Sequence, residues 1–74
     1  MQKFGEKLRK LRNKHGITLK ELAVKLGLNA HGYISEIESG KKKPTVAFVV
    51  NVARLFDIST DQLLKDELDV EGDH

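Results

Sequence analysis

Apolar residues along this chain fall at helical spacing. Phe4, Leu8 and Leu11 recur at i, i+4 and i+7, which predicts a first helix ending near Gly16. Thr18 followed by Glu21 is a capping box, each side chain placed to satisfy the other's free backbone amide, so a second helix opens there. Leu22, Ala23 and Leu26 share one face of it, and Gly27 has the backbone freedom to end it. A third short helix follows, with Ile34 and Ile37 inward and Gly40 closing it. Thr45, just past Pro44, is the expected N-cap of a fourth helix with Val46, Val49, Val50, Ala53 and Phe56 on its apolar face. β-Branched residues crowd that segment and favour a strand by propensity alone, but its length and i, i+3, i+4, i+7 spacing favour a helix. Ser59 with Gln62 forms a second capping box, opening a fifth helix through Leu63 and Leu64 toward Leu68. Residues 69–74, DVEGDH, are expected to be an acidic, frayed tail behind a single domain of residues 1–68.

Two short helices joined by a glycine-containing turn, in residues 18–40, match the helix-turn-helix signature, whose second helix enters a DNA major groove. Charge adds to that picture. Residues 1–43 hold eleven Lys and Arg against four Asp and Glu, a net +7, while residues 44–74 hold two against seven, a net −5. A basic half suits a polyanion, where each neutralised phosphate releases counterions. Lysines that merely solvate helix faces would not explain why the acid is segregated at the other end. With no Trp and few aromatic residues, base stacking is a poor main binding mode.

Seventy-four residues allow one domain, near the lower limit for a self-sufficient core. Zero cysteines exclude disulfides and thiolate metal sites. The longest apolar run, residues 46–50, is too short for a bilayer and no signal peptide is visible, so a cytoplasmic protein without a membrane partner is expected. His15, His31 and His74 have no metal-ligand spacing, and Gly40-Lys41 lacks the glycine pattern of a phosphate loop. So small a core leaves little room for a substrate pocket. The expectation is a protein that is not an enzyme, with no cofactor, metal or small-molecule ligand.

The ordered motifs carry a resemblance. They run L-R-x-L-R at residues 8–12, G-I-T at 16–18, E-L-A at 21–23, L-G-L at 26–28, Y-I-S-x-I-E-x-G at 33–40, K-x-x-P at 41–44 and S-x-D-x-L-L at 59–64. In this order the chain resembles the Cro/lambda-repressor-type (XRE family) helix-turn-helix regulators over residues 4–64. The resemblance implies an all-α fold, a five-helix lambda-repressor-like DNA-binding domain. It also implies an ion pair between Arg12 of the first helix and Glu38 of the third, beneath the DNA surface. Two departures stand out. Leu19 occupies the place where many relatives carry a phosphate-binding Gln, and one extra residue lies between Gly27 and Ile34. The extra residue puts Gly32 inside the recognition helix, which is then expected to begin near His31 or Tyr33.

With Ile34 and Ile37 inward, the third helix leaves His31, Gly32, Tyr33, Ser35, Glu36 and Ser39 for its outer face. His31, Gly32, Tyr33 and Glu36 are the base-reading candidates, because the amino-terminal part of such a helix reaches base edges. An exposed histidine and a rim tyrosine are the plainer readings of the two rings. Glu36 has two readings of equal standing: it accepts a hydrogen bond from cytosine N4, or it pairs with a nearby lysine and touches nothing. Lys41, Lys42 and Lys43, with Ser35, Ser39, Thr18 and Lys20, are the phosphate candidates, which fix register without reading sequence.

One such domain reads few base pairs, so the expected function is a transcriptional regulator binding a palindromic operator in double-stranded DNA as a homodimer. A phage repressor, a restriction–modification controller and an antitoxin-like regulator all fit. Without a sensor domain, the protein's own concentration would set occupancy. The surplus of apolar residues in the fourth and fifth helices marks the expected dimer interface at Phe48, Val52, Leu55, Phe56, Ile58 and Leu64. The rival is a protein-interaction module of the same fold that does not bind DNA, favoured by Glu36 and the missing Gln.

Overall fold

The computed structural model of the chain describes residues 3–68. Five helices follow in order: α1 (Phe4–Lys14), α2 (Leu19–Lys25), α3 (Gly32–Glu38), α4 (Val46–Phe56) and α5 (Thr60–Leu64). No strand occurs among the described residues. The expected all-α class and five-helix order are therefore observed, with α2 and α3 as the helix-turn-helix. The acidic tail lies outside the described residues.

Local hydrogen bonds account for the boundaries. Thr18 Oγ1 accepts from the Glu21 amide at 3.0 Å while the Thr18 amide donates to Glu21 Oε1 at 2.8 Å, closing the first capping box. Ser59 and Gln62 reproduce it at the head of α5, both bonds at 3.1 Å. Thr45 Oγ1 accepts from the Phe48 amide at 3.1 Å and starts α4. At the end of α2, Gly27 takes a φ of +75°, and the Leu28 amide reaches back to the Ala23 carbonyl at 2.8 Å, a Schellman closure. The end of α4 repeats that closure without a glycine. Asp57 adopts φ 55°, ψ 49°, and the Ile58 amide donates to the Ala53 carbonyl at 3.0 Å. Aspartate is among the few residues that tolerate the left-handed region.

The core gathers Phe4, Leu8 and Leu11 of α1, Leu22 and Ala23 of α2, Ile34 and Ile37 of α3, the inner face of α4, and Leu63 of α5. Two sequence expectations need correction. The inner face of α4 is Phe48, Val49, Val52, Ala53 and Phe56; Val46 stands 81% exposed and Val50 is half-buried. Phe48 is drawn inward because its ring packs T-shaped against those of Phe4 and Tyr33, with centroids 6.2 and 5.3 Å away. Val46, at the first helical position, is left in solvent. α5 is also shorter than expected: it stops at Leu64, and Leu68 lies outside it, 39% exposed.

The α4 correction carries into the expected dimer interface. Val52 is fully buried, and Phe48 and Phe56 are nearly so, so these three side chains are core and not available to a partner. Leu55, Ile58 and Leu64 remain partly exposed at the core's edge.

Candidate nucleic-acid interface

The structure seats α3 against α1 at two points. At the first, Gly5 of α1 lies so close to the end of α3 that a Cβ there would stand 2.5 Å from the Ile37 carbonyl oxygen and 2.7 Å from that of Glu38. Only a glycine permits this approach. At the second, Glu38 turns back under the helix, its side chain 3% exposed, and takes Arg12 Nε at 2.9 Å and Arg12 Nη2 at 3.2 Å. This two-pronged geometry is the strong form of a carboxylate–guanidinium pair. Arg12 Nη1 also donates to the Ile17 carbonyl at 3.2 Å, and Arg9 Nε approaches Glu38 Oε1 at 3.4 Å from a more exposed position. Glu38 is thus bound from α1 and has no free face toward solvent. The Ile17 bond further ties the entry to α2 into the same cluster.

α3 begins at Gly32, with His31 as its N-cap, so the extra residue is absorbed in a longer turn of residues 26–31. Because Ile34, Ile37 and Glu38 are buried, helical geometry turns Gly32, Ser35, Glu36 and Ser39 to the opposite side. His31 is exposed and flanks that side. Tyr33 is half-buried, its ring edge-on to Phe48, so it forms the border between core and outer face. Ser39 Oγ donates to the Glu36 carbonyl at 3.1 Å and helps close the helix.

Beyond Gly40 the chain exits through three exposed lysines. The amides of Lys41 and Lys42 donate to the Glu36 carbonyl at 2.8 and 3.2 Å, folding the loop back against α3. Lys42 Nζ then lies 3.3 Å from Glu36 Oε1 and 5.8 Å from the centroid of the Tyr33 ring. No carboxylate pairs with Lys41 or Lys43 among the described residues. Tyr33 and Glu36, expected as base readers, and Lys42, expected at phosphate, are therefore one cluster, which contains the glutamate–lysine pair that was the other reading of Glu36. At the head of α2, Thr18 and Lys20 are exposed; the Thr18 amide and hydroxyl oxygen serve the capping box, leaving the hydroxyl hydrogen and the Lys20 ammonium for a ligand. The bonds from Thr18, its backbone amide foremost, hold the Glu21 carboxyl below its ordinary range.

Two residues that hold the helices together, Gly5 against α3 and Lys7 against α5, escaped the sequence reading. Gly5 left only the weak sign of a glycine inside a helix, where Ala is preferred. Lys7 left a clearer one: positions 4, 7, 8 and 11 form a single buried stripe, and Lys7 is its only polar member. Its Nζ donates to the backbone carbonyls of Gln62 and Lys65. The ammonium thereby satisfies the negative end of α5 and fastens α5 to α1. Among the described residues, no group of His, Asp or Glu side chains could hold a metal ion, and no helix is long and apolar enough to cross a membrane.

The profile of the helix-turn-helix family matches residues 8–63. An uncharacterised HTH-type transcriptional regulator of Bacillus subtilis, YobD, is 39% identical over 61 residues, which cover 82% of this chain and 54% of that protein. The chain spans about half the length of the curated relatives it matches. Among solved structures, the N-terminal DNA binding domain of SinR from Bacillus subtilis superposes with a TM-score of 0.81 at 30% identity, covering 93% of this chain and all of that one. The restriction–modification controller protein C.AhdI from Aeromonas hydrophila superposes with a TM-score of 0.74 at 31% identity, covering 84% of this chain and 92% of that one.

Proposed function

Because the chain belongs to the helix-turn-helix family, of the Cro/lambda-repressor type that its motifs resemble, we propose that it is a DNA-binding transcriptional regulator that lays α3 in the major groove. The observation that carries this reading is the seating of α3: a short helix clamped to α1 by Gly5 and by the Arg12–Glu38 pair, with a polar outer side and a lysine-lined exit. A rigid base of this kind matters because base readout depends on donors and acceptors held at fixed positions. Lys41 and Lys43, with Lys20 and the hydroxyls of Thr18 and Ser35, contact phosphates and set register; the Ser39 hydroxyl, expected to join them, is committed to the Glu36 carbonyl. His31, Gly32, Tyr33 and Glu36 face the base edges.

The working unit is a homodimer on a palindromic operator, since two copies related by a two-fold axis double a readout of few base pairs. Leu55, Ile58 and Leu64, with the exposed Leu68 beside them in sequence, form the face for the second copy. The recognition helices then lie about 34 Å apart, one turn of DNA. Compensation of Glu36 by Lys42 weakens the rival reading of a protein-interaction module, for which the bare acid was an argument. SinR and C.AhdI, by their names a DNA-binding domain and a restriction–modification controller, support the same reading by likeness.

Titration of the purified chain into random duplex at several salt concentrations tests the DNA reading. Binding whose logarithm falls steeply and linearly with the logarithm of salt concentration is expected, and no binding at low salt refutes it. Sedimentation at micromolar concentration tests the dimer; a monomer both with and without operator refutes that part.

A further inference from the structure

Tyr33, Glu36 and Lys42 form a built cluster rather than three independent side chains. The Tyr33 ring is fixed edge-on against the buried Phe48 at 5.3 Å, and Phe48 is fixed in turn by Phe4. Lys42 lies over the Tyr33 ring, 5.8 Å from its centroid, and 3.3 Å from Glu36 Oε1. The backbone amides of Lys41 and Lys42 and the Ser39 hydroxyl all converge on the Glu36 carbonyl, so the loop that carries Lys42 is held at this spot. Only one carboxylate oxygen of Glu36 is engaged; the second has no partner among the described residues and stands on the outward, half-exposed side of α3.

Resting on the DNA-binding reading above, we infer that Glu36 is a specificity residue that selects cytosine, and that Lys42 is its positioning residue rather than a phosphate contact. An unpaired acid on this face would be repelled by the phosphates. Lys42 compensates that charge at one oxygen and leaves the other free to accept. A carboxylate only accepts hydrogen bonds, so it discriminates by what each base shows in the major groove. Cytosine presents the N4 amino donor. Guanine presents two acceptors and thymine O4 an acceptor, all of which repel it; adenine sets its N6 donor beside the N7 acceptor. In the duplex adenine N6 lies between two acceptors, its own N7 and thymine O4, whereas cytosine N4 has an acceptor, guanine O6, on one side only. The phosphate contacts of the exit loop then fall to Lys41 and Lys43.

Selection of duplexes from a random pool, with the full chain and its variants, tests the assignment. The wild type should enrich cytosine at one position of each half-site by roughly 5-fold over the other bases, the lower end of the range for a base contact because a single oxygen makes it. E36A should lose the preference at that position alone. K42M should relax it, and K42R, which keeps the cation over the ring and beside the carboxylate, should retain it. Random-duplex binding with no Glu36-dependent cytosine position overturns this inference and leaves the DNA-binding reading standing. So does a K42M variant that keeps the cytosine preference while its salt slope falls by about one unit, since Lys42 is then a phosphate contact. Failure of the wild type to bind any duplex overturns both.

Discussion

Glu38→Ala would unseat α3. Truncation removes both acceptors of Arg12 on Glu38 and leaves the guanidinium, 16% exposed, with the Ile17 carbonyl alone. Breaking a buried pair by removing one partner costs roughly 3–5 kcal/mol, because the surviving charge is left uncompensated. The residual exposure of Arg12 and its bond to Ile17 argue for the lower end, about 3 kcal/mol. For a domain of this size, total stability is on the order of 4–11 kcal/mol, so that loss is a large share of it. At about 4–8 °C per kcal/mol for small domains, the melting temperature should fall by roughly 12–24 °C. Thermal and urea unfolding followed by helical circular dichroism measure this, with an unchanged urea dependence required for a clean comparison. The partner experiment is the double variant Arg12→Met with Glu38→Leu. Replacing both charges with apolar groups of similar volume is often neutral or stabilising, so the double variant should recover most of the loss. A Glu38→Ala protein that melts within about 2 °C of wild type would falsify the reasoning, as would a double variant no better than the single one.

Three further outcomes follow from the same geometry. Gly5→Ala gains about 1 kcal/mol of helix propensity but sets a methyl 2.5 Å from the Ile37 carbonyl oxygen. A net loss of roughly 1–3 kcal/mol is expected, and a Gly5→Ala variant that melts higher than wild type shows that α1 and α3 do not meet this closely. Lys41→Ala with Lys43→Ala should weaken binding to all duplexes alike and flatten the salt slope by about one unit per lost contact; a changed base preference at constant slope would make them base readers. Glu21, held below its ordinary value of 4.5 by the Thr18 bonds, stabilises the fold above that value, and the contribution disappears as pH falls through the depressed one. The stability gap between wild type and Glu21→Ala should therefore be present at neutral pH and close in acid; a gap that stayed constant through the acid range would mean the box does not depend on the carboxylate.

Much of the helical order was legible from residues three or four positions apart. Thr18 with Glu21, Ser59 with Gln62, and Thr45 each satisfy backbone amides within their own first turn, so the sequence alone determined where α2, α4 and α5 begin. Gly27 and Gly40 marked helix ends for the same local reason, whereas Asp57 did the same work unannounced because aspartate enters the left-handed region only occasionally. The Arg12–Glu38 partnership was visible only through the family resemblance, since nothing in a span of 26 positions links the two side chains locally.

Tertiary structure decided the rest. In α4 nearly every position is apolar, so periodicity offered two overlapping faces and could not choose between Val46 and Phe48; the rings of Phe4 and Tyr33 made the choice. Phe48 and Val52, expected at the dimer interface, became core through that rotation, and Phe56 stayed on the inner face in both readings. Lys7 left a sign in its stripe, but its partners, two carbonyls of the fifth helix region, lie 55 and 58 positions away. Gly5 likewise depends on where separate helices come to rest, whereas the Glu36–Lys42 pair lies within one stretch of chain and was one of the two readings the sequence offered. Caps and turns close within one helical turn and can be read along the chain. Faces, close approaches and long-range ion pairs are set by distances between helices, which no local pattern encodes.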